Sequence, residues 1–398
     1  SMKCGLESRG PDDGGIWFDK KNNLFFGHTR LSIIETSNLG KQPMISRNER
    51  FVIVYNGEIY NFHEIKKKLK TKNINFKGDS DTEVLLEACA FWGVKKTLLI
   101  LSGMFAFALW DKKKKKLILA RDRFGIKPLY YSFQNKLFLF GSQTKVFNKH
   151  PKWKKEINFD SAAKYFNYGY VPTCNSIYKD TYQVPPGYYL TIDKNGKIKK
   201  KCYWNLTNNI NIEGSVSSND IEKILENSVK QHMVSDVPIG SFLSGGIDSS
   251  LITSLMQKNS IKPIKTFSIG FEESSLDESK YSKLIAKHLG TDHCEVIFKH
   301  KDMINLINNI NKIYDEPFAD SSQLPTILLS KITSEKVKVA LSGDGGDEFF
   351  GGYNRYNWSK KIKFLYSLPL SFRKQFCRLI RVFPPNKWDK IFNYLPYL

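Results

Sequence analysis

The stretch Val237-Pro-Ile-Gly-Ser-Phe-Leu-Ser-Gly-Gly-Ile-Asp-Ser-Ser250 decides how the second half of the chain is read. Apolar residues run into Ser244-Gly245-Gly246-Ile247-Asp248-Ser249, and Leu251, Ile252, Leu255 and Met256 follow at helical spacing. The segment therefore predicts a strand, a tight loop and a helix. Adjacent glycines permit positive φ and close backbone approach. The helix N-terminus behind them offers unpaired N–H groups and a positive dipole end, a seat for phosphate. Ser244, Ser249 and Ser250 add hydroxyl donors. Asp248 would repel a bare phosphate, and it makes sense where a divalent cation lies between the two. An ordinary Gly/Ser turn at a helix N-cap is the plain alternative, disfavoured by six ordered positions in a strand–loop–helix setting. The loop is not a Walker A motif, because no G-x-x-x-x-G-K-[ST] occurs in the chain.

A second loop, Ser342-Gly-Asp-Gly-Gly-Asp-Glu-Phe-Phe-Gly-Gly352, follows the strand-like run 337–341. Ile221, Ile224, Leu225 and Val229 mark an amphipathic helix before the first loop. Between the loops, strand-like runs at 265–270 and 294–298 alternate with helical patterns at 277–289 and 302–313. Such alternation predicts an α/β doubly wound parallel sheet. Ligands of these sheets gather at the carboxyl ends of the strands, so both loops are expected to face one crevice. Asp344, Asp347 and Glu348 on a glycine-rich loop are costly unless solvated or metal-bound.

The first half reads differently. Short β-branched or aromatic runs at 24–27, 51–55, 105–110, 117–120, 129–131 and 137–140 are separated by turn signals. Helical patterns interrupt at 62–70, with Asn61 as N-cap, and at 82–92. Sheets with segregated helices predict a layered α+β domain. Residues 206–219 are polar, with little to bury, and read as a linker between a first domain, 1–205, and a second, 220–398.

Composition narrows the function. No apolar run reaches the ~18 residues of a membrane span, and no signal peptide is evident. The six cysteines (4, 89, 174, 202, 294 and 377) are scattered without C-x-x-C, which suggests a reducing cytosol and neither disulfide framework nor zinc site. The net charge of +22, from 61 basic and 39 acidic residues, invites a nucleic-acid reading. The lysines, however, cluster in short surface-like stretches at 66–68, 112–116 and 199–201, and 112–116 reads as a hairpin connection. Solvated faces are the reading adopted here, with neither nucleic acid nor membrane as partner.

Further runs stand out in the first half: Arg9-Gly-Pro-Asp-Asp13, Gly27-His-Thr-Arg-Leu-Ser-Ile-Ile34, Asn56-Gly-Glu-Ile-Tyr-Asn61, Ser80-Asp-Thr-Glu83 and Ala120-Arg-Asp-Arg-Phe-Gly-Ile-Lys-Pro-Leu-Tyr-Tyr131. In this order they resemble the glutaminase domain of class II glutamine amidotransferases. Ser244-Gly-Gly-Ile-Asp-Ser249 resembles the pyrophosphate loop of N-type ATP pyrophosphatases. Together, from Arg9 to about Tyr353, the chain resembles the glutamine-hydrolysing asparagine synthetase family.

The resemblance implies an α+β N-terminal-nucleophile sandwich (α/β/β/α) followed by a pyrophosphatase α/β domain. It implies AMP-forming amide synthesis with ATP and Mg²⁺, the acceptor being aspartate or another carboxylate such as a sugar acid, peptide or β-lactam precursor. A catalytically inactive binding remnant is the reading from another class, and a homodimer is left open. The implied glutamine cradle is Arg30 for the α-carboxylate, Glu58 and Asp81 for the ammonium, and backbone near Ile33, Ile34 and Gly57, with Asn56 and Gly57 as oxyanion hole. The implied ATP site is Leu243, Ser244, Gly245, Gly246, Asp248, Ser249, Ile269, Ser342 and Gly343, with metal on Asp248 and Asp347. Asp344 is the implied catalytic acid group near the α-phosphate, where many family members carry Glu.

The chain departs from the family at both ends. The family's nucleophile is an N-terminal cysteine some 25–40 residues before the Arg-Gly-Pro-Asp motif, a spacing that comes from the resemblance, and its α-amine acts as base. Here Cys4 stands five positions before Arg9, and its Cys-Gly pair is taken as coincidental. The expectation is a chain that does not hydrolyse glutamine, with a C-terminal part shorter than usual in which the helical region carrying the family's lysine beside the acyl-adenylate is absent or different.

Overall fold

The computed structural model describes residues 2–210, 216–272, 277–384 and 386–388. Residues 211–215 of the expected linker and 389–398 of the expected second domain lie outside the described residues.

The first half opens with β1 (Asp13–Asp19), β2 (Leu24–Arg30), β3 (Met44–Ile45) and β4 (Phe51–Ile59), then α1 (Phe62–Lys70), α2 (Asp81–Trp92) and α3 (Val94–Ile100). It continues through β5 (Gly103–Asp111), β6 (Lys116–Arg121), β7 (Tyr130–Gln134), β8 (Leu137–Gly141), α4 (Phe159–Tyr168), β9 (Thr181–Gln183), β10 (Tyr188–Ile192) and β11 (Ile198–Cys202). An antiparallel six-stranded sheet runs in the order β11-β10-β6-β5-β4-β3, beside a β1-β2 hairpin and a three-stranded sheet β8-β7-β9.

Side-chain alternation along the central strands builds the layers. Phe51, Ile53, Tyr55, Phe105, Phe107 and Leu109 face α1 and α2, burying Ile65, Leu69, Leu85 and Leu86. Val52, Val54, Ala106, Ala108 and Trp110 point the other way, onto Phe26 of β2 and Tyr131 of β7. Beyond that second strand layer, Leu139 packs with Val146, Phe147 and Trp153, and with Ala162 and Tyr165 of α4. The layer order is therefore helix, sheet, sheet, helix. The second strand layer is in two pieces, and both β2 and β8 line a cavity of about 1320 Å³ between them.

The second half comprises α5 (Ser218–His232), β12 (Ile239–Phe242), α6 (Ile247–Lys258), β13 (Lys265–Phe271), α7 (Ser279–Leu289), β14 (Asp292–Phe298), α8 (His300–Ile307), α9 (Ile310–Ile313), α10 (Gln323–Ser334), β15 (Val339–Leu341), α11 (Gly346–Phe350), α12 (Asn354–Ser367) and α13 (Leu370–Val382). Its sheet is wholly parallel, in the order β14-β13-β12-β15. The chain steps outward from β12 to β14 and then returns to the far side of β12. The order reverses between β12 and β15, and that reversal is where a doubly wound sheet opens its ligand crevice.

Local expectations shift in places. The pattern at 302–313 is two helices, α8 and α9, with Asn308 and Asn309 between them. Asn61 does not cap α1 with its side chain; it bridges Ile100 O and Ser102 N, each at 2.9 Å. Helix α5 starts earlier than Asp220, behind a capping box of Ser217 and Asp220.

The two halves are stitched by polar contacts. Ile177 N and the Tyr130 hydroxyl donate to Glu316, at 2.8 and 3.2 Å. Lys145 N donates to Asp315 at 3.1 Å, and the Lys145 ammonium lies 3.3 Å from the same carboxylate. Asp236 accepts from Glu35 N at 2.7 Å and donates its own N–H to Ile33 O at 3.0 Å. No described helix is long and apolar enough to cross a membrane.

Phe107 is 1% exposed on a central strand beneath the helix layer. Phe107→Ala is expected to cost about 3–5 kcal/mol of stability, measured by denaturant unfolding.

Candidate active site

At the switch point the first loop is tied to its own helix. Ser244 N donates to Ser249 Oγ at 3.2 Å, Gly246 N to Ser244 Oγ at 3.3 Å, and Ser249 Oγ to Gly246 O at 3.2 Å. Gly245 has φ +91°, and a Cβ there would fall 2.9 Å from Ser282 N, so glycine is required on both counts. No side chain caps α6 at Gly246. Its first-turn N–H groups therefore remain available to an anion, with Asp248 standing in that same turn.

The second loop lies directly on the first, because Ser241 of β12 pairs with Leu341 of β15. A Cβ on Gly343 would meet Ser249 N at 2.8 Å and Asp248 Cβ at 2.9 Å, and one on Gly346 would meet Asp248 Cγ at 2.5 Å. Asp344 accepts from Ser342 Oγ at 2.9 Å, and Glu348 from the Tyr353 hydroxyl at 2.7 Å. Both carboxylates are exposed. Asp248 and Asp347 are half-buried, and among the described residues their carboxylates carry no hydrogen bond. No described cluster of three or more His, Cys, Asp or Glu could hold a metal unaided. The Asp248 carboxylate packs on Gly346 and Asp347 Oδ1 on Gly352; a pair of carboxylates suits Mg²⁺, which completes its shell from phosphate and water. Leu243 and Ile269 line one apolar cavity of about 290 Å³ with Phe242, Phe267 and Leu329, beside Ser244.

The large cavity of the first half gathers Arg30, Ile33, Ile34, Asn56, Gly57, Glu58 and Asp81, as the sequence motifs anticipate. Arg30 is buried, and its guanidinium donates to the carbonyls of Ser37 (3.1 Å), Ile34 (3.2 Å) and Glu35. Burial lowers its proton affinity, and Asp13 and Asp81 oppose that effect. Asp81 accepts from the Tyr55 hydroxyl at 2.8 Å and from Ile59 N at 3.1 Å, while burial raises its pKa. Glu58 is the unsatisfied member: Oε1 is buried without a hydrogen-bond partner. Burial first, and then Asp81, push its carboxyl up to about 7, against the pull of Lys127. Glu58 thus keeps spare acceptor capacity that Asp81 does not.

Several contributors lay unassigned in the motifs. Lys127 faces Glu58 electrostatically, and burial lowers its pKa. Asp122 accepts from Phe105 N, Phe124 N, Ile126 N and Lys127 N between 2.9 and 3.2 Å, folding the 121–127 loop around one carboxylate. Both fall inside the quoted 120–131 run, whose Arg-Asp pair was the available signal. Cys4 sits exposed in a 3-10 helix, Lys3–Arg9, and does not line the cavity, although Met2, Lys3, Leu6 and Arg9 do.

Both halves of the chain match known families. Residues 1–204 match the glutamine amidotransferase domain family and residues 220–384 the asparagine synthase family. A putative asparagine synthetase [glutamine-hydrolyzing] 2 of Methanocaldococcus jannaschii is 38% identical over 98% of this chain and 78% of its own length. Asparagine synthetase [glutamine-hydrolyzing] 1 of Bacillus subtilis is 37% identical over 96% of this chain. The chain spans 60% of that relative, less than two thirds of its length. A solved glutamine phosphoribosylpyrophosphate amidotransferase of B. subtilis aligns at TM-score 0.39 and 15% identity, over 74% of this chain and 77% of that one. An amidotransferase half joined to an ATP-using synthase half is thus the class of protein defined here. The chain belongs to the glutamine-hydrolysing asparagine synthetase family.

Gly343→Ala is expected to weaken Mg-ATP binding at least about tenfold, because its Cβ meets backbone that cannot yield without separating the loops. Calorimetric titration with Mg-ATP checks this, and unchanged affinity would contradict the packing described.

Proposed function

We propose that this chain forms an amide by ATP-dependent, AMP-forming chemistry, with aspartate as acceptor and glutamine or ammonia as nitrogen source. The observation that carries the reading is the contact of two glycine loops at the sheet's switch point, with Asp248 and Asp347 beside it. An oxygen of the acceptor carboxylate attacks the α-phosphorus of ATP, and pyrophosphate leaves. Ammonia then attacks the acyl carbon, and AMP leaves with the bonding pair.

The α6 N–H groups and the hydroxyls of Ser244 and Ser249 receive the leaving phosphates. Leu243 and Ile269 hold the adenine, and Ser342 and Gly343 close over the ribose and α-phosphate. Asp344 orients the acceptor at the α-phosphate. Mg²⁺ held by Asp248 and Asp347 would offset the charge of the leaving pyrophosphate. In the first half, Arg30 takes the α-carboxylate of glutamine and Glu58 its ammonium. Asn56 and Gly57 stand where they can hydrogen-bond the side-chain amide oxygen of a bound glutamine. Cys4 takes no part, being outside the cavity.

Two tests follow. Asp248→Asn and Asp347→Asn should weaken Mg-ATP binding and slow pyrophosphate release together, in an assay with ammonium, ATP and aspartate. Asp344→Asn should spare ATP binding and slow release alone. If all three variants bind and turn over like wild type, the site is elsewhere. Glu58 gives a pH signature. An ammonium needs the ionised carboxylate, and that carboxyl titrates at about 7 in the free protein. Glutamine affinity should therefore be flat above about pH 7 and fall about tenfold per pH unit below it. Calorimetry across about pH 5.5–8 on wild type and Glu58→Gln reads this directly, and Glu58→Gln should lose the slope.

A further inference from the structure

The 121–127 loop belongs to the first half, yet its tip reaches the second. The Phe124 ring lies 5.6 Å from that of Phe349, edge-to-face at 81°, and 5.1 Å from Trp204 on another side. Phe349 stands on α11, the short helix that carries Asp347 and starts at Gly346, packed on the Asp248 carboxylate. The backbone around Phe124 is pinned, with the ring itself 49% exposed. The Asp122 carboxylate gathers four N–H groups of its neighbourhood, and Arg121 donates to the carbonyls of Gly125 (2.6 Å), Lys127 (2.8 Å) and Val184 (2.9 Å). Tyr203, next to Trp204, donates its hydroxyl to Arg121 O at 2.8 Å. Helix α11 is short, five residues with none buried; Gly346 at its start rests on Asp248, Glu348 accepts from Tyr353, and Phe349, 65% exposed, is its contact with the first half.

We propose that Phe124 is a positioning residue for the metal carboxylate of the other half, acting through Phe349 to set the place of Asp347 on α11. This deepens the proposed function and rests on Asp347 holding Mg²⁺ there. A rigid loop bearing one aromatic edge, clamped by Trp204, fixes a helix too short to fix itself.

The test titrates Mg²⁺ against ATP binding in the whole chain for wild type, Phe124→Ala, Phe124→Tyr, Phe349→Ala and the double alanine variant. Phe124→Ala should raise the Mg²⁺ needed for half-saturation about threefold to tenfold, the range an aromatic pair supplies. Phe124→Tyr, which keeps the ring, should stay close to wild type. The double variant should be no worse than Phe349→Ala, because both remove one contact. A Phe124→Ala response equal to wild type, a Phe124→Tyr defect as large as that of alanine, or additive single effects would each overturn the proposal. Hydrogen exchange of the α11 amides without nucleotide reads the same contact independently. Protection should fall about threefold to tenfold in Phe124→Ala. Unchanged protection defeats the inference even if wild type binds no Mg-ATP, an outcome that would instead defeat the functional reading. If Phe124→Ala does not fold, Phe349→Ala, approached from the exposed partner, is read in its place.

Discussion

The junction of the two glycine loops depends on the absence of two carbon atoms. Residues 343 and 346 have no Cβ, and the space those atoms would need is filled by the backbone of Ser249 and the carboxylate of Asp248. Parallel pairing of β12 with β15 brings the loops to the same level, but only glycine lets them touch. Once they touch, the N-terminus of α6 and the first turn of α11 lie side by side, Gly346 resting on the Asp248 carboxylate. Strand order, loop composition and the donor set are thus one constraint expressed three times.

The other half meets the opposite problem. Its charged groups are buried: Arg30, Glu58 and Asp81 each expose less than a tenth of their surface. Arg30 and Asp81 are satisfied internally by backbone carbonyls, a tyrosine hydroxyl and a strand N–H. Glu58 is not, and the price appears as a carboxyl that holds its proton near neutrality. A positive charge placed beside Glu58 would favour its ionised form.

Much of this was legible in the sequence because the signals were local. The runs at 51–55, 105–110 and 117–120 became β4, β5 and β6, and the alternation after Val237 became the parallel sheet. What escaped notice lacked local contrast. Strand β1 carries two glycines and an aspartate at each end, and β11 is an exposed Lys199-Lys200-Lys201 edge whose charge discourages further pairing rather than announcing a strand. Helix α10 holds Pro325 in its first turn, where proline is tolerated although it reads as a breaker. At the sites, motif residues were identifiable by type, but Lys127 faces Glu58 and Phe124 faces Phe349 across long stretches of chain, which spacing alone does not reveal. Asn61 is the converse case, a correct residue with the wrong partner.

The seam between the halves has a bearing on modularity. Asp315 and Glu316, adjacent in the second half, are received by N–H groups and side chains of the first, at Lys145, Ile177 and Tyr130. A carboxylate seated in this way has no comparable partner once the halves are parted. Grafting this synthase half onto a foreign amidotransferase would therefore succeed only if the recipient supplied the same sockets. The natural unit of exchange is the pair of halves, carried together with their seam.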